Sequence, residues 1–272
     1  MLLKDRVAVI AGGGGSLGAA YAAHFLAEGA RVVIAEQIEE RGRAVEAQLA
    51  ALGEVVFIAT DIGDEHSLQA CVNRTLARFG SLDILVNSAA IADKQWGNRD
   101  FAYTRALFET NLLAQFLAIQ AVAPAMARGR WGRILNIGSE AMFLPSGRAA
   151  TPGPPPAPED EFPGIFPDDF AWTAGIYGWA KNGLIHLTKM MARELGPWGI
   201  TVNLASPGPT ATASYLRKLG EEDLRQKAWA VPTRRITLPR DQAEAAVFLC
   251  SDRAGAITGQ VLCVDGGMNF PV

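Results

Sequence analysis

The feature that most constrains this chain is a regular alternation between short, almost wholly apolar segments and longer segments rich in alanine and leucine. Continuously apolar short runs are typical of strands buried on both faces of a parallel sheet. We predict strands at 7–11, 31–35, 55–59, 84–86, 133–137, 201–204 and 261–264. The longer segments predict helices at 17–28, 39–51, 67–79, 101–128, 177–195 and 241–251. Because such alternation builds right-handed βαβ units, we expect an α/β fold with one doubly wound parallel sheet, in a single domain of residues 1–272.

Capping residues mark several helix ends in this pattern. Gly29 and Gly53 are interpreted as glycine stops after the first two helices. Asp64 and Asp241 are interpreted as N-caps, because a short carboxylate can accept a hydrogen bond from the first free amides of a helix.

Residues 145–170 break the alternation, because they hold eight of the chain's 15 prolines together with three glycines. Proline removes a backbone donor and glycine favours turns, so regular structure is not expected there. The segment predicts a long inserted loop within the domain.

Charge and composition argue against several classes of function. The net charge is −3 and no basic run is present, so nucleic acid is not an expected partner. The three cysteines and three histidines lack metal-binding spacing, so no metal site is expected. The chain enters its first strand without room for a signal sequence, and its apolar stretches are interrupted well short of a membrane span. We expect a cytoplasmic protein without a membrane partner.

A glycine-rich turn at residues 11–18 lies between the first strand and the first helix. Glycines at this junction let backbone amides approach a pyrophosphate, with the positive end of the helix dipole behind them. The turn predicts a dinucleotide site with contacts from Gly12, Gly15, Ser16, Leu17 and Gly18.

Glu36 ends the second strand, 18 residues after Gly18. An acidic residue near this position bonds the adenosine ribose hydroxyls and repels a 2′-phosphate. Because Gly15 and Gln37 offer no basic side chain, the sequence favours NAD over NADP. Arg41 and Arg43 on the next helix leave NADP as the alternative.

Tyr177 and Lys181 are four residues apart in a helical segment, so they share one helix face. An ammonium beside a phenol stabilises the phenolate and lowers the phenol pKa from about 10. Tyr177 is therefore a candidate general acid or base.

These motifs belong to an ordered set in which the chain resembles the short-chain dehydrogenase/reductase family, from Lys4 to about Asn269. Besides the glycine turn and the Tyr-x-x-x-Lys pair, the matching positions are Asp61 and Ile62, then Asn87, Ser88 and Ala89, then Asn111, Ser139, Pro207, Gly208, Thr210 and Thr212, and the Val-Asp-Gly-Gly signature at 264–267. The resemblance implies a Rossmann fold that binds a dinucleotide through the first groups, the proline–glycine loop, Tyr177 and Lys181.

The same resemblance implies the catalytic roles. Ser139 would hold the substrate oxygen and Tyr177 would transfer the proton. Lys181 would bond the nicotinamide ribose and lower the tyrosine pKa, while Asn111 would hold a water in the proton relay. The family resemblance also favours a homotetramer.

We therefore expect an NAD-dependent dehydrogenase or ketone reductase for a small-molecule secondary alcohol or ketone. Ser139 and Tyr177 are separated by 38 residues, more than is usual in the family, because the proline-rich loop lies between them. That loop carries five carboxylates against one arginine and several aromatic side chains, so a neutral, largely apolar substrate is favoured. Alternatives are an NADPH-linked carbonyl reductase and a non-catalytic nucleotide-sensing protein on the same fold. A dehydratase or epimerase is disfavoured, because no separate substrate domain follows.

Overall fold

Seven parallel strands form one sheet in a computed structural model that describes residues 1–91, 101–143, 172–217 and 220–270. The strands are β1 (Val7–Ala11), β2 (Arg31–Glu36), β3 (Val55–Ala59), β4 (Ile84–Asn87), β5 (Gly132–Ile137), β6 (Ile200–Pro207) and β7 (Val261–Val264). Their spatial order is β3-β2-β1-β4-β5-β6-β7. The predicted doubly wound parallel sheet is confirmed, and its order reverses between β1 and β4, where a ligand crevice opens at the carboxyl ends of the strands.

Helices cover both faces of this sheet. They are α1 (Ser16–Ala27), α2 (Glu39–Leu49), α3 (Glu65–Phe79), α4 (Phe101–Phe108), α5 (Ala114–Gly129), α6 (Trp172–Leu195), α7 (Ala213–Leu216), α8 (Glu221–Ala230) and α9 (Pro239–Leu249). Phe25 of α1 and Val247 of α9 belong to the core on one face. Ile119 of α5 and Leu184 of α6 belong to the core on the other. Every residue of β1 is buried between these two layers, which explains its uninterrupted apolar sequence.

Two of the four capping predictions are confirmed. Gly29 follows the C-cap of α1 with a φ of +87°, a backbone conformation that glycine adopts without steric cost. Asp64 is the N-cap of α3, and its Oδ1 accepts a hydrogen bond from the His66 amide at 2.9 Å.

The other two are wrong. Helix α2 ends at Leu49 with a right-handed C-cap at Ala50, so Gly53 lies beyond the helix end and does not terminate it. Helix α9 begins at Pro239 and not at Asp241. The Asp241 carboxylate reaches back to the Leu238 amide at 2.7 Å, which is the third-position contact of a capping box and not that of an N-cap.

The helix predicted at 101–128 is interrupted by a π-helical turn, Glu109–Leu113, between α4 and α5. The helix predicted to start at Tyr177 begins earlier, at Trp172. Helices α7 and α8 were not predicted, because they are short and α8 buries none of its residues.

The segment Phe101–Gly129 is long and apolar enough to cross a membrane by length and composition alone. The expectation that every apolar stretch is too short was therefore wrong for this segment. Its apolar face packs on the sheet through residues such as Ile119 and Met126, as in the core helix of a globular domain. The proline-rich loop predicted at 145–170 lies outside the described residues.

Candidate active site

Two adjoining cavities open along the carboxyl ends of the strands. The larger, of 680 Å³, lies over the ends of β1, β2 and β3, and the smaller, of 380 Å³, lies between the ends of β1, β5 and β6. Gly12, Gly15, Ser88 and Ala90 line both cavities and so form the floor where they meet. The crevice is elongated and composed of two parts, a shape suited to a dinucleotide.

The glycine turn forms the junction between the cavities. Gly12 has a φ of +74°, and its amide donates to the Ala35 carbonyl at 2.8 Å. A Cβ atom on Gly18 would lie 2.3 Å from the Gly12 carbonyl oxygen, and one on Gly12 would lie 2.6 Å from the Ala89 Cα. Because neither position has room for a side chain, the backbone itself lines the crevice. Gly15, the N-cap of α1, leaves the first amides of that helix available to an anion.

Glu36 occupies the far end of the larger cavity. Its Oε2 accepts from the Gly14 amide at 3.2 Å and its Oε1 accepts from the Ile38 amide at 3.1 Å. Both oxygens are therefore fixed by the backbone, while the side chain still lines the cavity. Arg41 lines the same cavity, which is the one observation here that favours a phosphorylated ribose.

Asp61 and Ile62 line the larger cavity beside Glu36, as the sequence predicted for adenine-side residues. The Asp61 carboxylate accepts from Gln37 Nε2 at 3.0 Å and from the Gly63 amide at 2.9 Å. This contact joins the turn after β2 to the turn after β3, so the two loops define one rim.

The smaller cavity contains the predicted catalytic side chains. Ser139 follows β5, while Tyr177 and Lys181 lie one turn apart on α6, and all three line this cavity. The Ser139 Oγ accepts from the Ala141 amide at 3.2 Å and caps the 3-10 helix Glu140–Met142. A Cβ atom on Gly178 would lie 2.4 Å from the Ala141 carbonyl oxygen. The glycine therefore lets α6 contact this turn directly and brings Tyr177 close to Ser139.

Lys181 is almost completely buried, with 1% of its surface exposed. Its Nζ donates to the Ile137 carbonyl oxygen at 2.8 Å. Burial lowers the pKa of this ammonium to about 7, because removing the charge from water disfavours the protonated form. Strongly shifted pKa values concentrate at functional sites, where buried charges are retained for a chemical purpose.

Asn111 and Asn87 line neither cavity. Asn111 lies in the π-helical turn, where its Oδ1 accepts from the Ile91 amide at 2.8 Å and its Nδ2 donates to the Ile91 carbonyl at 3.0 Å. Asn87 Nδ2 donates to Asn136 Oδ1 at 2.9 Å. Both side chains hold the strand β4 and the segment after it in place.

The remaining predicted positions, Pro207, Gly208, Thr210 and Thr212, border the smaller cavity after β6. Thr210 is buried and its Oγ1 donates to the Gly208 carbonyl at 2.8 Å. Thr212 is the N-cap of α7, accepting from the Tyr215 amide at 3.2 Å. These bonds use the threonine hydroxyls within the loop itself.

Sequence reasoning missed two polar side chains that line the smaller cavity, Glu140 and Tyr215. Glu140 is the residue directly after Ser139, so its proximity to the predicted catalytic serine was a usable signal. Tyr215 lies on α7, a single-turn helix whose sequence gave no periodic pattern.

Comparison with known proteins agrees with this geometry. A family model described as short chain dehydrogenase matches residues 6–151, and a second, described as Enoyl-(Acyl carrier protein) reductase, matches residues 169–269. The chain belongs to the short-chain dehydrogenase/reductase family. As a member, it is an oxidoreductase that uses a nicotinamide dinucleotide and acts on a small molecule.

Characterised short-chain dehydrogenase/reductase proteins match over nearly their whole length. The (2S)-[(R)-hydroxy(phenyl)methyl]succinyl-CoA dehydrogenase subunit BbsD of Thauera aromatica is 34% identical over 275 residues, which cover 99% of each chain. The 3-oxoacyl-[acyl-carrier-protein] reductase FabG of Escherichia coli is 31% identical, over 98% of this chain and 99% of that protein. A solved structure of 7 alpha-hydroxysteroid dehydrogenase with NADH and 7-oxo glycochenodeoxycholic acid matches with a TM-score of 0.82 and 30% identity, covering 97% of this chain and 94% of that one.

Proposed function

We propose that this short-chain dehydrogenase/reductase is an NAD(H)-dependent enzyme that oxidises a neutral secondary alcohol or reduces the matching ketone. The observation that carries the proposal is the placement of Ser139, Tyr177 and the buried Lys181 around one cavity that opens into the glycine-lined cavity. Sensing or scaffolding proteins gain nothing from a buried ammonium beside a phenol and a hydroxyl. We therefore favour a catalytic function over a non-catalytic, nucleotide-sensing function.

The crevice fits a dinucleotide in its chemistry as well as its shape. Gly12 and Gly18 have no space for side chains, so a pyrophosphate would meet backbone amides and the N-terminus of α1. Glu36 would accept from the adenosine ribose hydroxyls, and Asp61 and Ile62 would border the adenine. A bound nicotinamide supplies or accepts the hydride, which is the cofactor's own chemistry.

Ser139 and Tyr177 would perform the proton chemistry at the substrate. The Ser139 Oγ would donate to the substrate oxygen, holding it next to the phenol of Tyr177. Tyr177 would take the hydroxyl proton during oxidation and return it during reduction. Protonated Lys181 would stabilise the phenolate of Tyr177 and bond the ribose of the nicotinamide. Asn111, whose side chain exchanges two hydrogen bonds with Ile91, would hold a water of the proton relay.

NAD is proposed over NADP because Glu36 presents a carboxylate to the larger cavity. A carboxylate repels a 2′-phosphate, and its fixed oxygens cannot turn away without releasing two amides. The NADPH-linked carbonyl reductase is kept as a second candidate, because Arg41 lines the same cavity and could pair with that phosphate.

The cytoplasmic location stays a prediction of the sequence, and the homotetramer stays a prediction of the family resemblance. The 145–170 loop lies between Ser139 and Tyr177 in the sequence, and we propose that it covers the substrate. Each extends the proposed function without being needed for its chemistry.

A spectrophotometric screen tests the proposal directly. Purified enzyme is incubated with NAD⁺ and a panel of cyclic, aromatic and sugar-like secondary alcohols, and with NADH and the matching ketones, while absorbance of NADH is followed. We expect at least one pair to react in both directions, with turnover that requires Tyr177. A panel that reacts only with NADP(H) would move the assignment to the second candidate, and turnover that survives loss of Tyr177 would contradict the mechanism.

A further inference from the structure

Glu140 is a carboxylate inside the catalytic cavity that the reaction described above does not use. It follows Ser139 directly, begins the 3-10 helix Glu140–Met142, and lines the same cavity as Tyr177 and Lys181. Adjacent residues are about 3.8 Å apart at their Cα atoms, so Glu140 joins the wall of the cavity directly beside Ser139.

One oxygen of this carboxylate is buried without a partner. Glu140 Oε2 is inaccessible to solvent and has no hydrogen-bond partner among the residues that the structure describes. Burial raises the pKa of Glu140 to about 7. Leaving a buried carboxyl oxygen unsatisfied costs free energy, so a side chain that only filled space at this position would be more stable as an apolar residue.

The charged groups around Glu140 do not supply the missing bond. Asp265 raises the Glu140 pKa further, and its own carboxylate is saturated by the amides of Gly267, Met268 and Asn269. Lys227 lowers the Glu140 pKa, but its ammonium is exposed on α8 and lies 5.9 Å from the centre of the Tyr215 ring. The Glu140 side chain therefore lines the cavity beside Tyr177, Lys181 and Tyr215 with one of its oxygens unsatisfied by these charged groups.

We propose that Glu140 is a specificity-determining residue that accepts a hydrogen bond from a second donor group of the substrate, a hydroxyl or an amine, close to the reacting carbon. This inference rests on the proposed function. It narrows the neutral substrates to alcohols and ketones with a neighbouring hydroxyl group and, for an amino group, extends the substrate class to a cation. Because Ser139 and Glu140 line one cavity, a substrate held by Ser139 would present its second donor group to Glu140. A site built to bond a substrate hydroxyl discriminates strongly against the analogue that lacks it, because the buried acceptor is then left unpaired.

Matched substrate pairs test the inference in the whole enzyme with NAD⁺. Cyclohexanol is compared with cis-1,2-cyclohexanediol and 2-aminocyclohexanol, and 2-butanol with 2,3-butanediol, by kcat/KM. We expect the compound with the second donor to exceed its simple partner at least tenfold in the wild type. Glu140→Leu should reduce that ratio to below threefold, mainly through KM. Glu140→Gln should retain part of the diol preference and lose the preference for the amine, because only a charged carboxylate favours an ammonium.

Glu244→Gln, on the exposed side of α9, is the matched control and should keep the wild-type ratios. Equal kcat/KM values within the pairs, or ratios unchanged by both Glu140 variants, would overturn the inference. Binding of the same compounds to the enzyme–NADH complex, followed by NADH fluorescence, gives the ratio where turnover is slow and where Glu140→Leu folds poorly. Oxidation of the simple alcohols that depends on Tyr177 reports the proposed function separately, so the two ideas fail on different measurements.

Discussion

Lys181, which is buried, and Glu140, which is partly buried, are ionisable groups in one small cavity, and their pKa values are shifted in opposite directions. Burial lowers the Lys181 pKa to about 7 and raises the Glu140 pKa to about 7. In both cases loss of hydration disfavours the charged form. Removing two ionisable groups from water costs free energy twice in one cavity. We infer that the cavity is built to hold protons and charges, as alcohol oxidation requires.

Tyr177→Phe should abolish more than 99% of turnover while changing the NADH dissociation constant by less than about threefold. The ring remains to pack in the cavity, but the group that exchanges the proton is lost. Steady-state kinetics and NADH fluorescence titration measure the two effects. Tyr21→Phe is the matched control, because the Tyr21 hydroxyl is buried in the core and has no hydrogen-bond partner in the part of the chain that the structure describes. The control should keep full turnover, and a Tyr177→Phe enzyme with near-normal turnover would contradict the assignment.

Glu36 is predicted to make NAD(H) bind at least tenfold tighter than NADP(H), a difference of about 1.4 kcal/mol. Glu36→Gln should reduce the preference to below threefold, since the amide keeps one acceptor oxygen but no longer repels a phosphate. Titration of both cofactors by fluorescence gives the ratio. Glu40→Gln, an exposed change on α2, should leave it unaltered. Equal affinities in the wild type would show that Arg41 outweighs the carboxylate.

Glu140 should also leave a signature in the pH dependence of stability. Its pKa is raised from 4.5 to about 7, so the folded state binds more protons than the unfolded state between these values. Stability from this group is therefore present below pH 4.5 and lost as the pH rises to 7. Glu140→Gln should gain on the order of 1–3 kcal/mol in the free energy of unfolding relative to the wild type across that window.

Urea unfolding at pH 4.5, 6 and 7.5 measures this gain. The lowered pKa of Lys181 increases the free energy of unfolding only as the pH rises above about 7. Because this contribution is the same in the wild type and in Glu140→Gln, the difference between the two proteins reports on Glu140 alone. A wild-type curve parallel to that of Glu140→Gln would show that the carboxylate is solvated in the folded protein.

At the scale of elements, the contact between α6 and the turn after β5 determines the distance from Ser139 to Tyr177. Gly178→Ala would place a methyl group about 2.4 Å from the Ala141 carbonyl oxygen, so the two elements must separate. We expect kcat to fall at least tenfold with NADH binding nearly unchanged, because the glycine turn is distant from this contact. Gly129→Ala, at the end of α5 with no atom near the added Cβ, should have normal kcat. Steady-state kinetics compares the variants, and a normal kcat for Gly178→Ala would contradict the argument.

The sheet was predictable from sequence because each strand is a continuous apolar run, and Val7–Ala11 and Val55–Ala59 have the predicted bounds. Helix starts were less predictable. Asp241 lies near the start of α9 and is a residue type that N-caps favour. The sequence alone cannot distinguish an N-cap from an acidic residue at the third helical position, whose carboxylate accepts a hydrogen bond from the amide of the N-cap residue. The π-helical turn Glu109–Leu113 left no compositional signal, because the residues of such a turn are ordinary helix formers.

Only part of the candidate site could likewise be predicted from the sequence. Ser139, Tyr177 and Lys181 share a cavity as predicted, because their motif spacings encode which strand end and helix face they occupy. The position of Asn111 on its helix could be predicted from the sequence. The hydrogen bonds of its side chain could not, since tertiary packing brings its partner Ile91 to it. The surroundings of Glu140 could not be predicted, because Tyr215 of α7 lines its cavity and Lys227 of α8 lowers its pKa, and the sequence did not reveal either helix.

At the scale of the whole molecule, helices α5 and α6 expose an apolar groove on the side of the sheet away from α1. Phe116, Met190 and Trp198 line this groove, and Trp198 is 48% exposed. Exposed apolar surfaces of this kind are common at subunit interfaces. The groove is consistent with the predicted homotetramer, which would bury it.

We expect the protein to elute in light-scattering chromatography at four times the 29.0 kDa mass of one chain. Changing Met190 and Trp198 together to glutamate should lower that mass, because two charges would be buried in the interface. Leu52→Glu, an equally exposed apolar position after α2, should leave the mass unchanged. A monomeric wild type would refute the tetramer, and an unchanged mass for the double variant would place its interface elsewhere.

The fixed position of Glu36 has a consequence for how this protein could diversify. The same carboxylate that faces the cavity also holds the amides of Gly14 and Ile38, so recognition and loop geometry depend on one side chain. A single substitution to a basic residue would free both amides at the moment it altered selectivity. A variant that prefers a different cofactor would therefore first need another residue to hold these two amides. This requirement would make the cofactor preference slow to change in evolution and Glu36 a poor first target for redesign.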